Sequence, residues 1–195
     1  MKTLIFDAGD VITYFTLDDF GTFIRSRDCS VEQDKAFFKE KKSLYDAGEM
    51  TTEQFWREYI QVTGVRATPE ELISAIRSTI HVDKDMLSLL SQLKKNHRLL
   101  LASNIDPVTY EETERLLGSD LFEAQYISFK MGKLKSDPTF FSDIIRQQAL
   151  SPEDAVFIDD SRRNVASAES VGIKGIVFKN RAQLIEELKL LGIVE

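Results

Sequence analysis

A chain of 195 residues, 43% hydrophobic and 29% charged, holds enough apolar material for one compact core with a smaller insert, under an ordinary hydrated surface. Twenty-five basic against 32 acidic side chains leave a net charge of −7 with no long Lys/Arg block, which argues against nucleic acid or an anionic membrane as a partner. A single cysteine, Cys29, excludes a disulfide framework within the chain, and no apolar stretch approaches membrane-spanning length, so the sequence predicts a soluble, cytoplasmic protein.

Met1-Lys2-Thr3 leads straight into Leu4-Ile5-Phe6, a run too short for a signal-peptide core and suited to a buried first strand, with Asp7 directly after it. Residues 15–85 show no strand pattern but several helix starts. Ser30 with Gln33, Thr51 with Gln54 and Thr68 with Glu71 have the spacing of capping boxes. Phe37, Phe38, Phe55, Trp56 and Tyr59 supply apolar faces, so this stretch predicts a small helical bundle with an aromatic core. Tyr14 and Phe15 lie at its junction with the first strand, within possible reach of a substrate. Lys39-Glu40-Lys41-Lys42 and Lys94-Lys95 read as solvated helix faces.

Four further apolar runs follow: Leu99 to Ala102, Tyr126 to Phe129, Ala155 to Ile158 and Gly175 to Phe178. Near-continuous apolar runs predict strands covered on both faces, as in a parallel sheet. Asp106-Pro107, Asp137-Pro138 and Ser151-Pro152 each set a capping residue before a proline and predict helix starts between them; Asn180 with Gln183 opens a last helix, and Gly172 closes one that begins near Arg163. The alternation predicts an α/β fold, a Rossmann-like doubly wound parallel sheet interrupted by the helical insert. The expected boundaries are 1–14 and 86–195 for the core and 15–85 for the insert.

Ligands of open parallel sheets bind beyond the carboxyl ends of the strands. Asp7, Ser103 and Asp159-Asp160 all occupy such places. Gathered carboxylates repel one another, and a hard divalent cation, Mg²⁺, would relieve that repulsion. Ser103 and Asn104 can donate to a phosphate oxygen. Gly132 to Pro138 adds a turn and two ammonium groups; Lys133 reads as a surface lysine, while Lys135 can contact both an aspartate and a phosphate. His81 and His97 lack metal-ligand spacing, and Cys29 has no partner that would make it a nucleophile.

Phe6-Asp7-Ala8-Gly9-Asp10-Val11, Ala102-Ser103-Asn104, Gly132 to Pro138, and Phe157-Ile158-Asp159-Asp160-Ser161 with Asn164 resemble, in this order, the four motifs of the haloacid dehalogenase-like superfamily. The insert resembles that family's cap, as does the stretch Asp46 to Phe55. The resemblance covers nearly the whole chain. It implies a Mg²⁺-dependent phosphatase in which Asp7 forms an aspartyl-phosphate that water hydrolyses. It places Mg²⁺ on the Asp7 carboxylate, the Gly9 carbonyl and Asp160, with Asp159 as a supporting ligand or partner. It assigns Ser103 and Asn104 to phosphate binding, Lys135 to charge stabilisation, and the cap to excluding water.

Phosphatases of the superfamily mostly carry an acid–base aspartate two residues after the nucleophile. Here that place is Gly9, and Asp10 stands one position later, either as a displaced acid or as a local turn residue. Some members resembling sugar-phosphate phosphatases also have this glycine, so a small phosphorylated metabolite, a sugar phosphate among them, is the expected substrate. The metal-independent 2-haloacid dehalogenases lack the second aspartate too, but that branch uses an arginine soon after the nucleophile, and the nearest here is Arg25. A non-catalytic phosphate-binding protein is the third alternative. No motif sets an oligomeric state.

Overall fold

Leu4, Ile5 and Phe6 are fully buried because their strand is paired on both edges and covered on both faces. The computed structural model describes residues 1–118 and 120–194. Strand β1 (Thr3–Phe6) lies at the centre of a five-stranded parallel sheet with β4 (Arg98–Ser103), β5 (Ala124–Ile127), β6 (Ala155–Asp159) and β7 (Lys174–Val177), in the order β5-β4-β1-β6-β7. The chain builds outward from β1 through β4 to β5, then crosses back to β6 on the other side. The winding direction therefore reverses around β1, and a crevice opens at the carboxyl ends of β4, β1 and β6.

Alternate residues of each strand face opposite layers. Leu4, Phe6, Leu101 and Ile158 pack on α5 (Lys84–Leu93) and α10 (Arg181–Leu190) through Met86, Leu90, Leu184 and Leu188. Ile5, Leu100 and Phe157 pack on α8 (Pro138–Gln148) and α9 (Arg162–Glu169) through Phe140, Phe141, Ile144, Val165 and Ala168. The doubly wound α/β architecture follows from these two apolar layers.

Four helices fill the insert: α1 (Leu17–Arg25), α2 (Val31–Asp46), α3 (Thr52–Thr63) and α4 (Pro69–Ser78). All three expected capping boxes form, at Ser30–Gln33, Thr51–Gln54 and Thr68–Glu71. Phe37, Phe55, Trp56 and Tyr59 are buried in a shared aromatic core, joined by Val108 from α6 (Pro107–Leu117) of the sheet layer. Cys29 is buried there as well, 3.8 Å from the Tyr59 hydroxyl.

Several local expectations are corrected. The insert does contain a strand: β3 (Ile80–Val82) pairs antiparallel with β2 (Thr13–Phe15), a two-stranded ribbon where the chain leaves and re-enters the core. Each strand has three residues, too few to display an alternation. The Tyr126–Phe129 run leaves the sheet at Ile127, because Ser128 begins the single turn α7 (Ser128–Met131). Ser151-Pro152 opens only a 3₁₀ turn, Pro152–Asp154, since β6 starts at the next residue. The helix begun at Arg162 stops at Glu169, and Gly172 makes the left-handed turn only after it. Lys42 is not a solvated helix residue, as described below. Among the described residues, no helix is long and apolar enough to cross a membrane.

Helix α2 ends against the core. The Ser128 hydroxyl donates to the Asp46 carbonyl, and Gly48 turns with φ +76° where a Cβ would lie 2.5 Å from the Phe129 carbonyl oxygen. Gly48→Ala therefore combines a left-handed backbone with a main-chain clash, and is expected to destabilise the protein by about 1–3 kcal/mol in chemical denaturation.

Candidate active site

The fold delivers four carboxyl-end residues into the crevice. Asp7 follows β1, and its N–H continues the ladder by donating to the Ile158 carbonyl at 2.9 Å. Ser103 ends β4, buried at 2% exposure. Asp159 ends β6, and Asp160 follows it, exposed.

Lys135 enters from the loop before α8 with no solvent exposure. Its Nζ lies 2.7 Å from Asp7 Oδ1 and 2.6 Å from Asp159 Oδ2. It is placed by its own backbone, whose N–H donates to Asn104 Oδ1 at 2.8 Å, so the turn after β4 fixes the lysine. Asn104 thereby keeps its amide N–H groups for the crevice. Lys135 is thus a fully buried cation shared by two carboxylates. Despite burial, Asp7 and Asp159 hold its ammonium above the ordinary lysine value.

The paired acids after β6 differ in their surroundings. Both oxygens of Asp159 are taken by protein donors: Lys135 Nζ, the Ser161 N–H at 2.8 Å, and Asn164 Nδ2 at 3.2 Å. Asp160 is the more open of the two, and its partial burial, Asp159 and Asp10 push its carboxyl above the usual range. Asp7 Oδ1 accepts from the Ala8 N–H at 2.7 Å and pairs with Lys135; among the described residues Oδ2 accepts no hydrogen bond. Burial pushes Asp7 up to about 7, Lys135 pulling against it and Asp159 adding to it.

Asp7, Asp159 and Asp160 bring carboxylate oxygens within 4.8 Å of one another. Three hard oxygen donors with one buried lysine between them carry more negative than positive charge, and a divalent cation such as Mg²⁺ fits that donor set. Asp7, Asp160 and the Gly9 carbonyl are the groups with capacity to spare.

Above the crevice a cavity of about 280 Å³ separates core from insert, bordered by Gly9, Ser103, Asn104 and Asp106 below and by α2 and α3 above. Asp10 does not line it. Its φ of 55° and its N–H bond to the Thr13 carbonyl turn it toward a separate depression beside Asp83, Lys179 and Arg181. Tyr14 lines that depression too, whereas Phe15 lines the cavity. Arg25 donates to Thr22 on its own helix, so no arginine approaches Asp7 from there.

Lys42 is the residue the sequence concealed. It lines the cavity from α2, forms a salt bridge with Asp46, and lies 3.3 Å from Asp106 Oδ2. Those two carboxylates keep its ammonium above its ordinary value despite burial. The helical phase Phe38, Lys42, Tyr45 was the available signal: three cavity-lining residues at steps of four and three. His81 and His97 are packing residues, bonded to Thr16 and to Ile193 respectively.

The profile of the haloacid dehalogenase-like hydrolases matches residues 1–172. The chain belongs to that family. Among relatives of this hydrolase, the sesquiterpene phosphatase astK of Aspergillus oryzae is 26% identical, with 97% of this chain and 96% of that one aligned. The D-ribitol-5-phosphate phosphatase of Bacteroides thetaiotaomicron is 24% identical over 98% of both chains. In structure, the hydrolase superposes on a family enzyme from Bacteroides thetaiotaomicron, crystallised with magnesium and inorganic phosphate, with a TM-score of 0.83 at 20% identity, covering 94% and 98% of the two chains. That likeness establishes the shared fold.

Proposed function

We propose that this hydrolase is a Mg²⁺-dependent phosphatase acting on a small phosphorylated metabolite, with Asp7 as nucleophile. The observation that carries this is the buried Lys135 held between Asp7 and Asp159 beside an open Asp160. That arrangement leaves Asp7 Oδ2 free to attack while Oδ1 is fixed by Lys135 and the Ala8 N–H. The relatives are named as phosphatases of two different substrates, which supports the reaction and leaves the alcohol open.

Ser103 and the Asn104 amide orient the phosphoryl group at the carboxyl end of β4. Attack by Asp7 forms an O–P bond and breaks the ester O–P bond, the departing alkoxide taking a proton from solvent because Gly9 offers no acid; water then attacks the aspartyl-phosphate, loses a proton to solvent, and phosphate leaves with the carboxylate restored. Lys135 balances the charge that develops on the attacking and transferring oxygens. Asp7, Asp160 and the Gly9 carbonyl, with Asp159 in support, would hold Mg²⁺, which would further neutralise the phosphate. Residues 15–85 act as the cap that keeps bulk water from the intermediate. Asp10, turned toward the depression beside Asp83, Lys179 and Arg181, has no part in these steps.

Phosphate release from p-nitrophenyl phosphate and a metabolite panel, with Mg²⁺ and with a chelator, tests this. Release that needs Mg²⁺ is expected, and chloride release from 2-haloacids is not. No release from any phosphate ester with Mg²⁺ present sinks the proposal.

Gly9 has a second consequence. A Cβ built there meets nothing within 4 Å. The backbone there leaves room for a Cβ, so Gly9→Asp can place an acid–base group at the usual position. Its kcat is expected to rise roughly 10-fold or more, as general acid–base assistance to a poor leaving group allows. The gain should shrink with p-nitrophenyl phosphate, whose leaving group needs little protonation.

A further inference from the structure

The cavity between cap and core has two unlike ends. Near the carboxylates it offers Ser103 and Asn104. Away from them its walls are Phe15, Leu17, Phe38, Phe55, Trp56 and Ile76. Apart from Trp56, the polar side chains among these walls already have partners within the protein. Lys42 is held by Asp46 and Asp106. Asp106 accepts from the Thr109 N–H at 3.0 Å and the Thr109 hydroxyl at 2.7 Å. The Tyr45 hydroxyl donates to Thr52 Oγ1 at 2.9 Å, and the Thr13 hydroxyl donates to the Ala8 carbonyl at 3.2 Å. The Trp56 Nε1–H has no partner among the described residues, but it is closed off from solvent.

We infer that the substrate is the monophosphate of an apolar alcohol, alkyl or aryl, rather than of a sugar or polyol. This rests on the phosphatase reading above and goes beyond it by naming the leaving group. A polyol entering this cavity would lose water from each hydroxyl and meet carbon in return, a loss that polar recognition sites exist to avoid. Lys42 and Asp106 are already paired, so a hydroxyl recruited to either would set a bond charged on one side only against an ion pair charged on both. An apolar chain meets no such loss, and each part of it that leaves water favours binding. The aromatic residues of α2 and α3 thus serve two surfaces: they hold the cap together and they form the roof of the site.

Two six-carbon esters separate the cases: hexyl phosphate and sorbitol 6-phosphate. With wild-type protein and Mg²⁺, kcat/KM for hexyl phosphate is expected to exceed that for sorbitol 6-phosphate by about tenfold or more. A second measurement does not depend on turnover. Trp56 is the sole tryptophan of the sequence and borders the cavity, so its emission reports occupancy. In the Asp7→Asn protein with Mg²⁺, hexyl phosphate should shift Trp56 emission with a Kd about tenfold or more below that of sorbitol 6-phosphate. Equal or better turnover and binding of sorbitol 6-phosphate overturns this inference and leaves the phosphatase reading standing. Tight hexyl phosphate binding with no turnover of any ester supports the apolar pocket and overturns the phosphatase reading. Failure of both esters to bind or react overturns this inference, and the phosphatase reading falls with it only when the wider panel also releases no phosphate.

Discussion

Asp7→Asn is expected to lower phosphate release roughly 10³-fold or more while leaving the protein folded. The amide keeps the size of the carboxylate but is a very poor nucleophile toward phosphorus. Folding should survive, because Lys135 retains Asp159 at 2.6 Å and one of three crowded negative charges is gone. The metal-free protein offers a second readout. Burial raises the Asp7 carboxyl from 3.8 to about 7 in the folded state. A folded state that binds the proton more tightly than the unfolded chain is favoured at low pH and loses that advantage as pH rises through the interval from about 4 to 7. In chelator, wild-type Tm should therefore decline across that window relative to Asp7→Asn, whose profile lacks this contribution. Thermal melts of the two proteins at matched pH isolate the one group. Parallel profiles would show that Asp7 is not held in the charge-poor setting that its contacts describe.

Much of this site could be read before any coordinates because strand ends carry their chemistry in sequence order. Asp7, Ser103 and Asp159 each follow an apolar run, and a parallel sheet has to bring such positions to one edge. The capping boxes were equally legible, since Ser30, Thr51 and Thr68 bond locally to residues three positions on. Lys42 was not. A run of Lys, Glu, Lys and Lys reads as solvated by composition, and only the position of α2 over the crevice turns one of those four inward against Asp46 and Asp106. The division of labour between Asp159 and Asp160 was visible only through the resemblance, which put the metal on Asp160 and left Asp159 in support. Which of them is occupied depends on Asn164, Ser161 and Lys135 arriving from elsewhere. The β2–β3 ribbon was invisible for a different reason. Its pairing joins residues near 14 to residues near 81, and three-residue strands leave no periodic trace.

Lys135→Met should be the most damaging single change to the protein as a whole. Its Nζ is buried between two carboxylates and anchored through its backbone to Asn104. Methionine fills similar space without charge, so the loss is electrostatic rather than steric. Removing one partner of a buried ion pair costs about 3–5 kcal/mol, because the remaining charges stay behind uncompensated. Chemical denaturation in chelator should show a loss of that size. Turnover should also fall, roughly 10²–10³-fold, since a preorganised cation beside the attacking oxygen is gone. The decisive comparison is with added metal. A cation that binds only the folded protein stabilises it in proportion to how well the site holds it. With Lys135 removed, Asp7, Asp159 and Asp160 present three carboxylates and no resident positive charge. Mg²⁺ should therefore raise Tm more in Lys135→Met than in wild type, recovering stability without recovering full activity. Equal Mg²⁺ stabilisation in both proteins would mean that the lysine and the metal do not share these carboxylates, and the assignment of the metal to this cluster would fall with it.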